Sequence, residues 1–279
     1  MNWMYCFRIE FIFKLWKSFP SCFILKKVSV KMKNNTTHIE ILKNERELYS
    51  KAADFIIQTF EKAIREKGYL TIALSGGSTP KKLYQELVKH HGAKKIWRHS
   101  FFFWSDERPV KLEHPDSNAG MAMEHLLRPL NIAAEQIYTV PTDRIPIQRV
   151  ADAYEDDILD FFRQHKSDPR FDLILLGIGE DGHTASLFPN TLASNENKKL
   201  IVANWVEKLN TWRITFTFPL INKADRVLFL ATGEKKAKIL NKIFTTKEQQ
   251  YPAQKVEPVD GESYWFIDAD AAGLLTKGV

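Results

Sequence analysis

The chain has 279 residues, 44% hydrophobic and 27% charged, which suits a globular protein with a full core built as one large α/β domain or two small ones. Its net charge of +6 lies in residues 1–33, where seven bases meet one acid, leaving 33 of the 40 bases against 33 of the 34 acids. A neutral body argues against nucleic-acid binding, which shows as a clustered basic face, and no apolar run approaches the length of a membrane span.

The N-terminal stretch is aromatic and basic, as in Phe11-Ile12-Phe13-Lys14-Leu15-Trp16. Lys14 and Lys17 interrupt its apolar character and no clear small-residue cleavage site follows, so it reads poorly as a secretory signal. An interfacial or organelle-targeting segment is one reading; the other, preferred here, starts the protein at Met32 and makes Met1–Lys31 an upstream translation artefact, so that residues 1–35 are expected to be a disordered extension or a start-site artefact. Both cysteines, Cys6 and Cys22, fall in this extension. The body, residues 36–279, therefore has no disulfide framework, cysteine metal site or thiol nucleophile, and a reducing compartment, the cytoplasm, fits it.

The body opens with a strand pattern at Ile39–Leu42 and a helical pattern through Leu48, Ala52, Phe55, Ile56, Phe60 and Ile64, closed by Gly68. The strand Tyr69–Leu74 runs into Ser75-Gly76-Gly77-Ser78-Thr79-Pro80, and a helix over Lys81–His90 follows the proline. Glycines expose backbone N–H groups in a tight turn, and a helix N-terminus adds partial positive charge. With the hydroxyls of Ser75, Ser78 and Thr79, this unit reads as a phosphate cradle or as a plain Gly-rich connection with a Ser/Thr cap. It lacks the Gly-Lys of a P-loop and the GxGxxG spacing of a dinucleotide site.

The apolar strand Ser100–Ser105 ends in Asp106-Glu107-Arg108-Pro109-Val110, and His114-Pro115-Asp116-Ser117-Asn118 follows. Two acids and an arginine there suit a site at the sheet edge, or a surface salt-bridge cluster. Helices are expected at Asn118–Leu127 and Gln148–His165, with a short strand at Gln136–Val140 between them.

Leu173–Leu176 reads as a buried strand, and Gly177, Gly179 and Gly182 beyond it are interleaved with Glu180, Asp181 and His183. A carboxylate and an imidazole two residues apart in a glycine-rich turn read as a catalytic loop or as a structural histidine capping it. Strands at Leu200–Trp205, Trp212–Phe218, Arg226–Ala231 and Ser263–Ile267 follow, with a short helix at Ala269–Leu275. Arg213 can hold a phosphate in two-pronged fashion. Lys236, at the start of the helix that follows Thr232-Gly233, opposes the helix dipole unless it meets an anion.

SGGSTP, WSDERPV with HPDSN, LGIGEDGHTASLFP, RITFTFP and ATGEKKAKIL come in the order and at the separations of the 6-phosphogluconolactonase family, as do YPAQKVEP and WFIDADAA near the C-terminus. This resemblance covers residues 36–279. It implies an α/β fold, a doubly wound, mostly parallel sheet in a three-layer α/β/α sandwich, and hydrolysis of 6-phospho-D-glucono-1,5-lactone. It further implies His183 as general base, Asp181 orienting His183 or its water, Arg108 stabilising the developing negative charge, and Asp106, before it, among the catalytic residues. The phosphate would lie on Ser75, Gly76, Gly77, Ser78 and Thr79, countered by Arg213 and Lys236. The partner is a small sugar phosphate, with no nucleic acid or membrane, and the reaction needs no metal or organic cofactor.

Glucosamine-6-phosphate deaminase shares the phosphate loop and the DGH turn. That family carries a glutamate five residues after the histidine, where this chain has Phe188, and reads DEY where this chain has Asp106-Glu107-Arg108. A non-catalytic sugar-phosphate sensor is a further alternative, although residues 1–37 are too short and too aromatic for a DNA-binding output module.

Overall fold

Apolar runs without alternating polarity form strands buried on both faces, the pattern of a parallel sheet covered by helices. The computed structural model describes residues 26–31, 36–143, 146–246 and 248–275. In chain order the strands are β1 (Lys26–Lys31), β2 (Thr36–Leu42), β3 (Leu70–Leu74), β4 (Ser100–Trp104), β5 (Asp106–Glu107), β6 (Leu173–Leu176), β7 (Ile201–Val206), β8 (Thr211–Phe216), β9 (Arg226–Ala231) and β10 (Glu262–Asp268). The helices are α1 (Glu45–Lys67), α2 (Ser78–His91), α3 (Asn118–Ala122), α4 (Ile147–Gln164), α5 (Phe218–Ile221) and α6 (Ala237–Thr245).

The main sheet has the order β1-β2-β10-β9-β6-β3-β4, parallel throughout except for β1 on the edge. The register shows which helices cover which face. Phe103, Ala73, Ile174, Val227 and Ser263 pair successively across five strands, so they point the same way, as do Phe229 and Trp265. On that face Phe103 meets Phe161 of α4, and Trp265 meets Phe244 of α6. The alternate residues of β10, Tyr264 and Phe266, meet Phe55 of α1 on the opposite face. Helices on both faces make this the expected doubly wound α/β/α sandwich. No helix among the described residues is long and apolar enough to cross a membrane.

The chain leaves β3 for β4 on one side and returns through α4 to β6 on the other. Loops beyond the carboxyl ends of β3 and β6 therefore diverge around one crevice, the switch point where open α/β sheets bind ligands. The core beneath is densely aromatic. The Phe103 ring is fully buried, stacked on Tyr138 at 4.7 Å and edge-on to Phe161 at 5.2 Å and Phe171 at 5.1 Å. Phe103→Ala is expected to cost about 3–5 kcal/mol, since so crowded a site cannot collapse around the cavity; urea denaturation measures it.

Several elements differ from the sequence reading. Gln136–Val140 is not a strand: Ile137 makes one isolated bridge to Phe102, and Pro141, which has no N–H, follows directly. The Asn118–Leu127 helix turns from α into a π turn at Met123–Leu127. Ala269–Leu275 forms successive turns, bonded from Ala272 to Asp268 and from Leu275 to Ala272, with Gly273 among them. The RITFTF strand lies outside the main sheet, in an antiparallel sheet of order β5-β8-β7. Residues 26–31, within the N-terminal extension, form β1 antiparallel to β2. The expectations for residues 1–25 and 32–35 lie outside the described residues.

Candidate active site

The loop after β6 is closed by its own backbone. Gly179 N–H donates to the His183 carbonyl at 2.9 Å, Gly182 N–H to the Gly179 carbonyl at 3.0 Å, and the Thr184 hydroxyl to the Gly177 carbonyl at 2.9 Å. Gly182 has φ +80°, a region that disfavours side chains, and an added Cβ would strike Tyr251 at 2.6 Å. The YPAQ segment thus braces the loop from outside, and Ala253 N–H donates to the Gly182 carbonyl at 3.1 Å.

This turn aims Asp181 at its neighbour. Oδ1 of Asp181 lies 2.5 Å from Nδ1 of His183 and accepts from the His183 amide at 3.2 Å. An ionised carboxylate accepts only, so Nδ1 carries a proton, and in the neutral ring the lone pair lies on Nε2. Burial alone would raise the Asp181 carboxyl. The hydrogen bonds from His183 and Lys208 outweigh it and hold the group well below the usual carboxylate range. Phe188, almost wholly buried, stacks on the His183 ring at 4.0 Å and 25°.

The other clusters converge on this loop through named contacts. Ser186 donates its hydroxyl to Oδ2 of Asp106 at 2.7 Å, and Asn118 donates Nδ2 to the Asp106 carbonyl at 2.9 Å. Gly76 packs so closely on Asn118 that an added Cβ would sit 1.7 Å from its Oδ1. On the other flank, the Thr79 and Thr232 hydroxyls lie 3.1 Å apart, tying the Ser75–Thr79 loop to the turn before Lys236. That turn is held from β10, where both Asp268 oxygens accept the Gly233 N–H at 3.1 Å.

Two helix N-termini lie here and differ in what meets them. At α3, the buried Glu107 carboxylate accepts the Asn118 and Ala119 amides at 2.8 and 2.7 Å, besides the Arg108 amide at 2.7 Å. Burial pushes the Glu107 carboxyl up, and these amides partly offset that. At α2 no side chain caps the end, and the N-cap Gly77 has φ +106°. The open positive end therefore belongs to the Ser75–Thr79 loop. Within it Ser75 is an anchor, its amide and carbonyl both bonded to the buried Tyr84 hydroxyl at 3.1 and 2.7 Å. Gly77 and Ser78 are exposed.

The β5–β8 register pairs Asp106 with Thr215 and Glu107 with Ile214, which brings Arg108 beside Arg213. Burial lowers the Arg213 guanidinium, and the Arg108 cation lowers it further. Arg108 donates Nη1 to the Asp116 carbonyl at 2.6 Å, while its buried Nε has no partner among the described residues. A buried donor without a partner is rare and calls for an acceptor that the described residues do not supply. Lys236 is half-buried, and burial likewise pulls its ammonium below the usual lysine range, with Glu180 and Asp181 opposing. Two cations made costly by burial, Arg213 and Lys236, suit an anionic ligand.

Asp106, expected among the catalytic groups, lies 7% exposed with its carboxylate on Ser186 and Asn118. The sequence reading missed Lys208, whose ammonium pairs with Oδ2 of Asp181 and lies 5.0 Å over the Phe188 ring. The only signal for it in the sequence is its position five residues before Arg213. A groove of about 680 Å³ opens beside this pair, lined by Asp181, Phe188, Thr191, Trp205, Lys208 and Trp212 and by none of Ser75–Thr79, Arg213 or Lys236.

Residues 43–265 match the family described as Glucosamine-6-phosphate isomerases/6-phosphogluconolactonase. The chain belongs to this family. It is 41% identical to the 6-phosphogluconolactonase of Synechocystis over 85% of this chain and 98% of that protein. It is 36% identical to the Bos taurus 6-phosphogluconolactonase over 85% of this chain and 93% of the relative. The solved 6-phosphogluconolactonase of Trypanosoma cruzi superposes with a TM-score of 0.77 at 30% identity, covering 89% of this chain and 99% of that one. Family membership admits both the lactonase and the isomerase; in this chain Phe188 stacks on the His183 ring.

Proposed function

We propose that the chain hydrolyses 6-phospho-D-glucono-1,5-lactone to 6-phospho-D-gluconate, a step of the oxidative pentose phosphate pathway, as the 6-phosphogluconolactonase names of its relatives suggest, with His183 as general base. The observation that carries this reading is the Asp181–His183 contact, which leaves Nε2 as the basic nitrogen beside a cationic crevice. Nε2 takes a proton from water as its oxygen bonds to the lactone carbonyl carbon. The tetrahedral oxyanion lies against Arg108. The bond from that carbon to the ring oxygen then breaks, and the imidazolium returns its proton to the ring oxygen. One water is consumed and the open-chain acid results.

In this reading Asp106 is a positioning residue, holding the Ser186 and Asn118 sides of the crevice together. The 6-phosphate lies at the open end of α2, on Gly76, Gly77, Ser78 and Thr79, with Lys236 and Arg213 as counter-charges and Ser75 fixing the turn from below. Phe188 favours the lactonase over the deaminase, since it puts an aromatic face rather than a carboxylate on His183.

A lactonase assay on freshly made substrate tests the function, and ammonia release from glucosamine 6-phosphate would support the deaminase instead. Arg213→Ala is expected to raise KM by roughly 10–100-fold, the worth of one charged hydrogen-bonded contact, with kcat little changed. Equal kcat/KM on phosphorylated and unphosphorylated gluconolactone in the wild type would refute the phosphate assignment. The cysteine-free body suits a reducing compartment, and we place the protein in the cytoplasm; an organelle-restricted fluorescent fusion of the full chain would refute that.

A further inference from the structure

Asp181 has two oxygens with separate partners: Oδ1 meets the His183 ring and Oδ2 meets Lys208. Lys208 also lies over Phe188, and Phe188 stacks on His183, so four side chains, the imidazole among them, form a closed ring of contacts. Lys208 is not on the catalytic loop. It comes from the 3₁₀ turn Glu207–Leu209, which joins β7 to β8 where Val206 pairs with Thr211. Asn210 ends that turn in the left-handed region at φ 47°, a conformation asparagine tolerates. The small antiparallel sheet thus delivers one cation to the far side of the Asp181 carboxylate.

We propose that Lys208 is a positioning residue that pins the second oxygen of Asp181 and sets the pH at which His183 sheds its proton. This rests on the reading of His183 as the general base. An aspartate alone beside an imidazole stabilises the protonated ring, which then cannot act as a base. The Lys208 cation opposes that stabilisation while leaving the Oδ1 hydrogen bond intact, so orientation is kept and the ring is free of its proton at lower pH. The other charged and titratable groups around this pair are Glu180 on the same loop, Lys236 from the loop after β9, Glu207 beside Lys208, and Tyr251, which packs on Gly182. None of them is recorded on Oδ2 of Asp181, so Lys208 has no substitute there among the described residues.

The test compares Lys208→Met and Lys208→Arg in the full chain. The Lys208 side chain is 52% exposed, so solvent screens it, and Lys208→Met is expected to move the His183 ring titration, read by NMR without substrate, up by about half to one pH unit. The acidic limb of kcat/KM on the lactone should rise by the same amount, with KM within about twofold of wild type. Lys208→Arg should restore both. An unmoved ring titration in a folded Lys208→Met protein overturns the proposal, as does a large rise in KM with an unmoved pH profile, which would make Lys208 a substrate ligand. A wild type without lactonase activity would sink the proposed function instead, and the NMR titration would still decide the role of Lys208.

Discussion

Replacing His183 with alanine is expected to lower kcat on the phosphorylated lactone by about 10²–10⁴-fold, the range that positioned proton transfer contributes. KM should stay within about twofold, because the groups assigned to the phosphate lie on other loops and the base acts only in the transition state. Fold stability should hardly change: the ring is part-exposed, and its main packing partner, Phe188, keeps its place in the core edge. Asp181 supports this reading of the pH profile as well. Its carboxyl is held well below the usual range, so it stays ionised as pH falls, and the acidic limb reports protonation of the imidazole rather than of its partner. Single-turnover kinetics on fresh substrate measure the loss, and an unchanged kcat would remove His183 from the mechanism.

Gly179→Ala should be nearly as damaging without touching a reactive group. An added Cβ would lie 2.0 Å from Nδ1 and 2.1 Å from Cε1 of His183, and 2.7 Å from Oδ1 of Asp181, inside any permitted contact. The neighbours cannot yield cheaply. The imidazole is stacked on Phe188, Asp181 is fixed by Lys208, and the turn is closed by the Gly179 bond to the His183 carbonyl. Relief must come from moving the ring or opening the turn, and a displacement of about 1 Å at a catalytic group can cost 10²-fold. We expect kcat to drop about 10²-fold or more and the thermal melt to fall as well, since the loop that must take up the strain carries Ile178 and Leu187 of the core. Wild-type kcat in Gly179→Ala would mean that the observed approach of ring and backbone is not needed for turnover.

Much of the molecule was legible in one dimension because its signals are local. Unbroken apolar runs marked β3, β4, β6 and β9, and the three- and four-residue spacing from Leu48 to Ile64 marked α1. The same locality misled at Gln136–Val140, where β-prone residues found a single bridge on Phe102 and a proline beyond it. It misled again at Ala269–Leu275, where a glycine and short-range bonds favour turns. The alternation in RITFTF was a true strand signal, but pairing partners are not local information. Nothing in those residues shows that they pair with Asp106-Glu107 and β7 instead of joining the main sheet.

The site divides the same way. The sequence by itself determined where the glycines, hydroxyls, acid and imidazole stand, in loops beyond apolar strands, and it set Asp181 two residues from His183 in one turn; the roles proposed for them start from that placement. Only the tertiary structure decided what those groups face. It turned Asp106 inward onto Ser186 and Asn118, committed Glu107 to the α3 amides and left the α2 end without a side-chain cap. It also brought Lys208, on the turn between β7 and β8, to Asp181. Each of these depends on contacts between residues far apart in the chain, whose partners are set by sheet order and register rather than by any neighbouring residue.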